Sequence, residues 1–185
     1  MVNFFIFRGV CGHPKENWFD WLKTKLESLG HDVFIPQFPT PENQTLNKWL
    51  EILEGYKQHI NEETILIGHS LGVPFTLNVI ELHKVRAAFL VAGYTGIAGN
   101  QFDESMKTFT QRKFNWEKIK GHCKIFQIFN ADNDPFVPVE KGEELAKNLE
   151  TNMILVKGAG HINTPAGYTQ FELLLENIKE TISHN

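Results

Sequence analysis

The chain has 185 residues, with 18 basic and 22 acidic side chains and a net charge of −4 when histidine is neutral. A single domain of roughly 150 residues accounts for most of that length, and the acidic balance argues against a nucleic-acid surface. A hydrophobic share of 42% with 22% charged residues excludes a disordered chain, and two cysteines, Cys11 and Cys123, are too few for a disulfide framework.

Val2 to Phe7 reads as a strand rich in β-formers, and Arg8 interrupts the apolar run too early for a signal peptide. Between Glu16 and Leu29, Trp18, Phe19, Trp21, Leu22, Leu26 and Leu29 recur at helical spacing until Gly30 stops them. Asp32 to Ile35 is a second strand, closed by Pro36, Pro39 and Pro41. Leu46 to Ile60 carries a helical stripe of Leu46, Trp49, Leu50, Leu53, Tyr56 and Ile60. Thr64 to Ile67 is a short apolar strand ending in Gly68, and a helix follows from about Leu71 to His83. Pro74 fits there because it falls in the first turn. Ala87 to Ala92, Cys123 to Phe129 and Asn152 to Val156 are three further strands. Helices are predicted over Trp116 to Lys120, Pro138 to Leu149 and Ala166 to Ile182.

Apolar strands alternating with helices predict one α/β domain over residues 1–185, a six-stranded, mostly parallel sheet covered by helices on both faces. The longest uncharged stretch, Ala87 to Phe102, falls short of the roughly 18–20 apolar residues of a membrane span. The expected setting is cytoplasmic.

Ligands of such a sheet gather at the carboxyl ends of its strands. The third strand ends in Gly68-His69-Ser70-Leu71-Gly72, a Gly-x-Ser-x-Gly elbow with a strand before it and a helix after it. The elbow sets Ser70 on a strained turn, and its glycines let strand and helix approach. The Leu71 amide, at the start of a helix, is placed to stabilise an oxyanion. The blander reading is a small-residue turn with an idle serine.

A serine hydroxyl needs a base, itself oriented by a carboxylate, and this fold supplies them in the order serine, acid, histidine. The loop Asn130 to Pro138 follows the fifth strand, and Lys157 to Asn163 follows the sixth. In the first loop Asp134 is favoured over Asp132, because Pro135 stiffens the chain beside it; Asp132 is then a turn carboxylate. His161 is the candidate base, whereas His13, His69 and His122 are expected to pack or sit in loops, and His184 lies in the tail. The exit of the first strand, Arg8-Gly9-Val10-Cys11-Gly12, is expected to give the second oxyanion donor, with Val10 favoured. Tyr94, Phe102, Phe109, Phe114 and Phe136 are candidates for a substrate pocket.

No cofactor or metal is expected. Asp132-Asn133-Asp134 begins like a calcium loop, but Phe136 and Val137 stand at its ligand and glycine positions. Gly158-Ala159-Gly160 follows the last strand and has Asn163 where a dinucleotide site needs glycine.

The sequence resembles the α/β-hydrolase superfamily, and within it the small serine hydrolases related to retinoblastoma-binding protein 9 and the bacterial YdeN-like proteins. The resemblance covers nearly the whole chain. It is carried by Ile65 to Ser70, by Trp116-Glu117-Lys118-Ile119-Lys120, by Asp134-Pro135-Phe136-Val137-Pro138 and by Gly160-His161. It implies a compact α/β-hydrolase fold without a large cap domain, with Ser70 as nucleophile, Asp134 as acid and His161 as base. The implied substrate is a small molecule or peptide with a carboxyl ester, thioester or amide. There are two departures. The exit of the first strand is less glycine-rich than in the family, and the Leu-x-Cys-x-Glu motif of retinoblastoma-protein binding is absent, with Gly9 and Gly121 standing where leucine would precede each cysteine. A rival reading from another class is a catalytically weak hydrolase-fold protein acting as a protein-interaction module. No sequence pattern speaks to oligomeric state.

Overall fold

The computed structural model describes residues 1–183, so His184 lies outside the described residues. Six strands form one sheet: β1 (Asn3–Phe7), β2 (Asp32–Phe34), β3 (Ile65–His69), β4 (Ala87–Val91), β5 (Ile125–Asn130) and β6 (Met153–Leu155), in the order β2-β1-β3-β4-β5-β6. Every pairing is parallel, where the sequence suggested mostly parallel. The register sets Phe7 beside Gly68, His69 beside Val91 and Asn130 beside Leu155, so the loops leaving β1, β3, β4, β5 and β6 emerge on one rim.

Helices cover both faces, which explains why β3 and β4 are buried throughout instead of alternating with polar residues. On one face α1 (Phe19–Ser28) and α7 (Glu172–Ser183) bring Phe19, Leu22, Leu26, Leu174 and Ile178 onto Phe4, Ile6, Ile65, Ile67 and Phe89. The other face carries α2 (Leu46–Glu54), α3 (Gly72–Leu82), α4 (Asp103–Thr110), α5 (Trp116–His122) and α6 (Val139–Asn148). There Trp49, Phe75, Leu77, Phe109 and Leu145 join Phe5, Phe7, Leu66 and Leu90 in a second core. Each such side chain, fully buried, contributes about 1.5–3 kcal/mol. Among the described residues no helix is long and apolar enough to cross a membrane.

Helix ends differ from expectation where the backbone turns left-handed or glycine intervenes. Asn17 has φ +52°, so α1 starts at Phe19 and not at Glu16. Gly55 closes α2, and a short 3-10 turn over Lys57–His59 completes the predicted stripe. A similar turn at Thr164–Ala166 ends on left-handed Gly167, delaying α7 to Glu172. Helix α4 is absent from the sequence reading because only Met106, Phe109 and Thr110 are buried on it. Its start is fixed by polar groups instead: the Asp103 carboxylate accepts the amides of Ala98, Gly99 and Asn100 at 2.7–3.1 Å. The segment between β4 and β5 therefore holds two short helices in place of a large cap.

Candidate active site

Ser70 follows β3 directly and has φ +56°, a conformation that costs a non-glycine residue roughly 1–3 kcal/mol. Its amide donates to the Val91 carbonyl at 2.9 Å, and its own carbonyl accepts from Val73 at 2.9 Å, so the turn is pinned on both sides. The flanking glycines are steric necessities. A Cβ on Gly68 would lie 2.5 Å from the Gly72 carbonyl oxygen, and one on Gly72 only 2.0 Å from that of Phe7. Strand, turn and helix thus meet with backbone against backbone. Leu71 is buried at the cap of α3, and its amide donates to no group among the described residues, which leaves it available beside Ser70.

Opposite the elbow, the loops after β5 and β6 are joined by three successive side chains. Asp132 accepts the Gly158 amide at 2.7 Å, and Asn133 accepts the Gly160 amide at 2.8 Å. Asp134, its side chain wholly buried, faces His161 Nδ1 through Oδ2 at 2.8 Å. The other oxygen of Asp134 accepts the amides of Phe136 (2.8 Å) and Val137 (3.1 Å), which fixes the carboxylate plane. With the proton on Nδ1, the imidazole keeps a free lone pair on Nε2 for base chemistry. Asp132 holds the histidine loop through the Gly158 amide and makes no hydrogen bond to the ring among the described residues.

That loop is also anchored from the start of the chain. Trp18 Nε1 donates to the Ile162 carbonyl at 3.0 Å, and the Thr164 amide donates to Asn17 Oδ1 at 2.9 Å. His69, expected to pack, does so with a specific bond: its Nε2 meets the His161 carbonyl at 3.0 Å. Burial, then the neighbouring His161, pushes the His69 pKa down to about 3, so the ring is neutral and donates from Nε2.

Ser70 and His161 border one cavity of about 220 Å³, with Val10, Tyr94, Phe102 and Phe136 on its walls. No hydrogen bond joins the Ser70 hydroxyl to His161 among the described residues, and such contacts commonly tighten only around substrate. Phe136 stands edge-on to the His161 ring at 5.0 Å, and Phe102 packs on Phe136 at 5.5 Å. Two of the predicted pocket residues lie elsewhere. Phe109 is fully buried against Trp49 and Phe75, and Phe114 stacks on Trp116 beside a separate surface groove. Both were drawn away by the apolar core, the common fate of aromatic side chains in such a sheet.

The polar lining escaped the sequence reading. Glu16, Asn17, Asn100 and Asn163 all border the cavity. Burial pushes the Glu16 pKa up from its ordinary value, and burial followed by the hydrogen bond to Asp103 raises that of Tyr94, which donates its hydroxyl at 2.7 Å. Loop asparagines carry no periodicity, so nothing in the pattern marks them.

A family model described as serine hydrolase matches residues 4–180. The chain belongs to the serine hydrolase family. It is 30% identical over 167 residues to serine hydrolase RBBP9 of Rattus norvegicus, covering 90% of this chain and 87% of the relative. It is 28% identical over 178 residues to YdeN of Bacillus subtilis (strain 168), covering 93% and 92%. The crystal structure of the B. subtilis ydeN gene product superposes with a TM-score of 0.91 at 26% identity, covering 99% of this chain and all of that one. Est1E from Butyrivibrio proteoclasticus shares the α/β-hydrolase fold at 15% identity, with a TM-score of 0.71 over 97% of this chain and 90% of its own. The serine hydrolase family and its compact α/β-hydrolase fold are therefore those the sequence motifs indicated.

Proposed function

We propose that this serine hydrolase cleaves an ester, thioester or amide through Ser70, His161 and Asp134. One observation carries the reading: a serine held in left-handed backbone between two obligate glycines borders the same cavity as a histidine paired with a buried aspartate. Ser70 Oγ attacks the carbonyl carbon while His161 Nε2 takes its proton. The negative oxygen of the tetrahedral intermediate is held by the amides of Leu71 and Val10. Collapse breaks the bond to the leaving group, which receives the proton from His161. Water then repeats the sequence on the acyl-enzyme and returns the serine hydroxyl. Asp134 holds the Nδ1 tautomer and stabilises the imidazolium. The substrate is a small molecule or peptide, and Tyr94, Phe102 and Phe136 contact its acyl or side-chain portion.

The test is covalent labelling. A fluorophosphonate modifies the wild-type protein, and Ser70→Ala abolishes both labelling and turnover; labelling that persists in that variant refutes the assignment. p-Nitrophenyl esters of increasing chain length, run beside aminoacyl arylamides, identify the bond that is cleaved.

A further inference from the structure

Arg8 is fully buried at the exit of β1, and among the described residues it forms no ion pair with a carboxylate. Burying a cation is costly, and the charge of the nearby Glu16 offsets part of that cost without forming a salt bridge. The direct hydrogen-bond partners of Arg8 are backbone carbonyls: Nη1 donates to the Gly9 oxygen at 3.0 Å, and Nη2 donates to that of Phe38. The guanidinium also lies over the Trp49 ring, 5.4 Å from its centre, while Nε has no partner. A fork that spans two carbonyls is a task for arginine and not for a single ammonium.

The Gly9 carbonyl shares a planar trans peptide with the Val10 amide, so the two groups point in opposite directions. Arg8 and the Gly12 amide (3.4 Å) both hold that carbonyl oxygen. The Val10 N–H is thereby turned the other way, on a loop where Val10 borders the cavity and a Cβ on Gly9 would lie 3.0 Å from Ser70 Cβ. The Val10 amide donates to no other group among the described residues.

We propose that Arg8 is a positioning residue for the oxyanion hole, orienting the Val10 N–H by clamping the Gly9 carbonyl. The proposal rests on the reading of Ser70 as nucleophile and of Val10 as an oxyanion donor. Sulfur accepts hydrogen bonds poorly, so a thionoester draws little from such a donor whereas an oxygen ester draws much. Arg8→Lys, which keeps the charge and loses the fork, is expected to lower kcat on a p-nitrophenyl ester roughly 10–100-fold with KM nearly unchanged. The rate on the matching thionoester should fall far less. Equal losses on both substrates, or a change confined to KM, would mean that Arg8 serves only to tie the β1 and β2 exits together.

A measurement on the wild-type protein does not depend on the variant folding. When a fluorophosphonate modifies Ser70, the phosphonyl oxygen occupies the oxyanion position, and the Val10 amide proton should move downfield in an ¹⁵N-resolved spectrum. If mass spectrometry finds the adduct and the Val10 resonance stays put, the Arg8 proposal fails while the nucleophile stands. If no adduct forms on Ser70, the nucleophile reading itself fails.

Discussion

The two sides of the rim are built by different physics. On the elbow side, backbone packs on backbone: Ser70 sits in strained geometry and Gly68 and Gly72 leave no room for a methyl group. On the Asp134–His161 side, three consecutive side chains, Asp132, Asn133 and Asp134, stitch two loops together through hydrogen bonds at 2.7–2.8 Å. Shape governs the first side and polarity the second. Substitutions should therefore separate stability from chemistry according to the side they strike.

The largest effect is expected on the elbow. Gly72→Ala forces a Cβ to 2.0 Å from the Phe7 carbonyl oxygen, and neither partner is a side chain that can swing away. A loss of about 4 kcal/mol or more is expected, read as a markedly lowered urea midpoint. Asp134→Asn tests the other side. It keeps the size of the group and an acceptor for the Phe136 and Val137 amides, so the fold persists while turnover falls about 10²–10⁴-fold. Asp132→Asn should leave turnover close to wild type; if it is the damaging change instead, the acid has been misassigned.

A more gradual effect concerns His69, which links the sides through the His161 carbonyl. Its folded pKa of about 3 lies below the ordinary value of 6.5, so below pH 6.5 the unfolded chain binds a proton that the native ring refuses. Stability is full above 6.5 and declines as pH falls toward 3, by at most about 1.4 kcal/mol per pH unit from this group. Urea midpoints measured from pH 7 to 4 should show a flatter decline in His69→Asn than in wild type. Equal slopes would place the proton on the ring inside the folded protein.

Much of this arrangement was legible in the sequence because its signals are local. Gly-His-Ser-Leu-Gly between an apolar strand and a helix names its own backbone, and Asp134 beside Pro135 marks the rigid part of its loop. Helix α4 was not legible, since its start depends on Asp103 collecting three amides and its buried stripe is narrow. Nor was the fate of Phe109 and Phe114, because an aromatic residue carries no mark of whether core or cavity will claim it. The partners of Arg8 and His69 are carbonyls, and a carbonyl has no sequence signature.

The latch from Asn17 and Trp18 to the segment 162–164 closes contacts across 147 and 144 positions of the chain. Contacts so distant carry a loop-closure cost that local contacts do not. During translation the elbow emerges long before His161, and that histidine is seated only when the last quarter of the polypeptide returns to the first. Any fragment that stops short of His161 carries Ser70 without the ring that borders the same cavity, so the order of synthesis leaves that cavity unfinished until the chain is nearly complete.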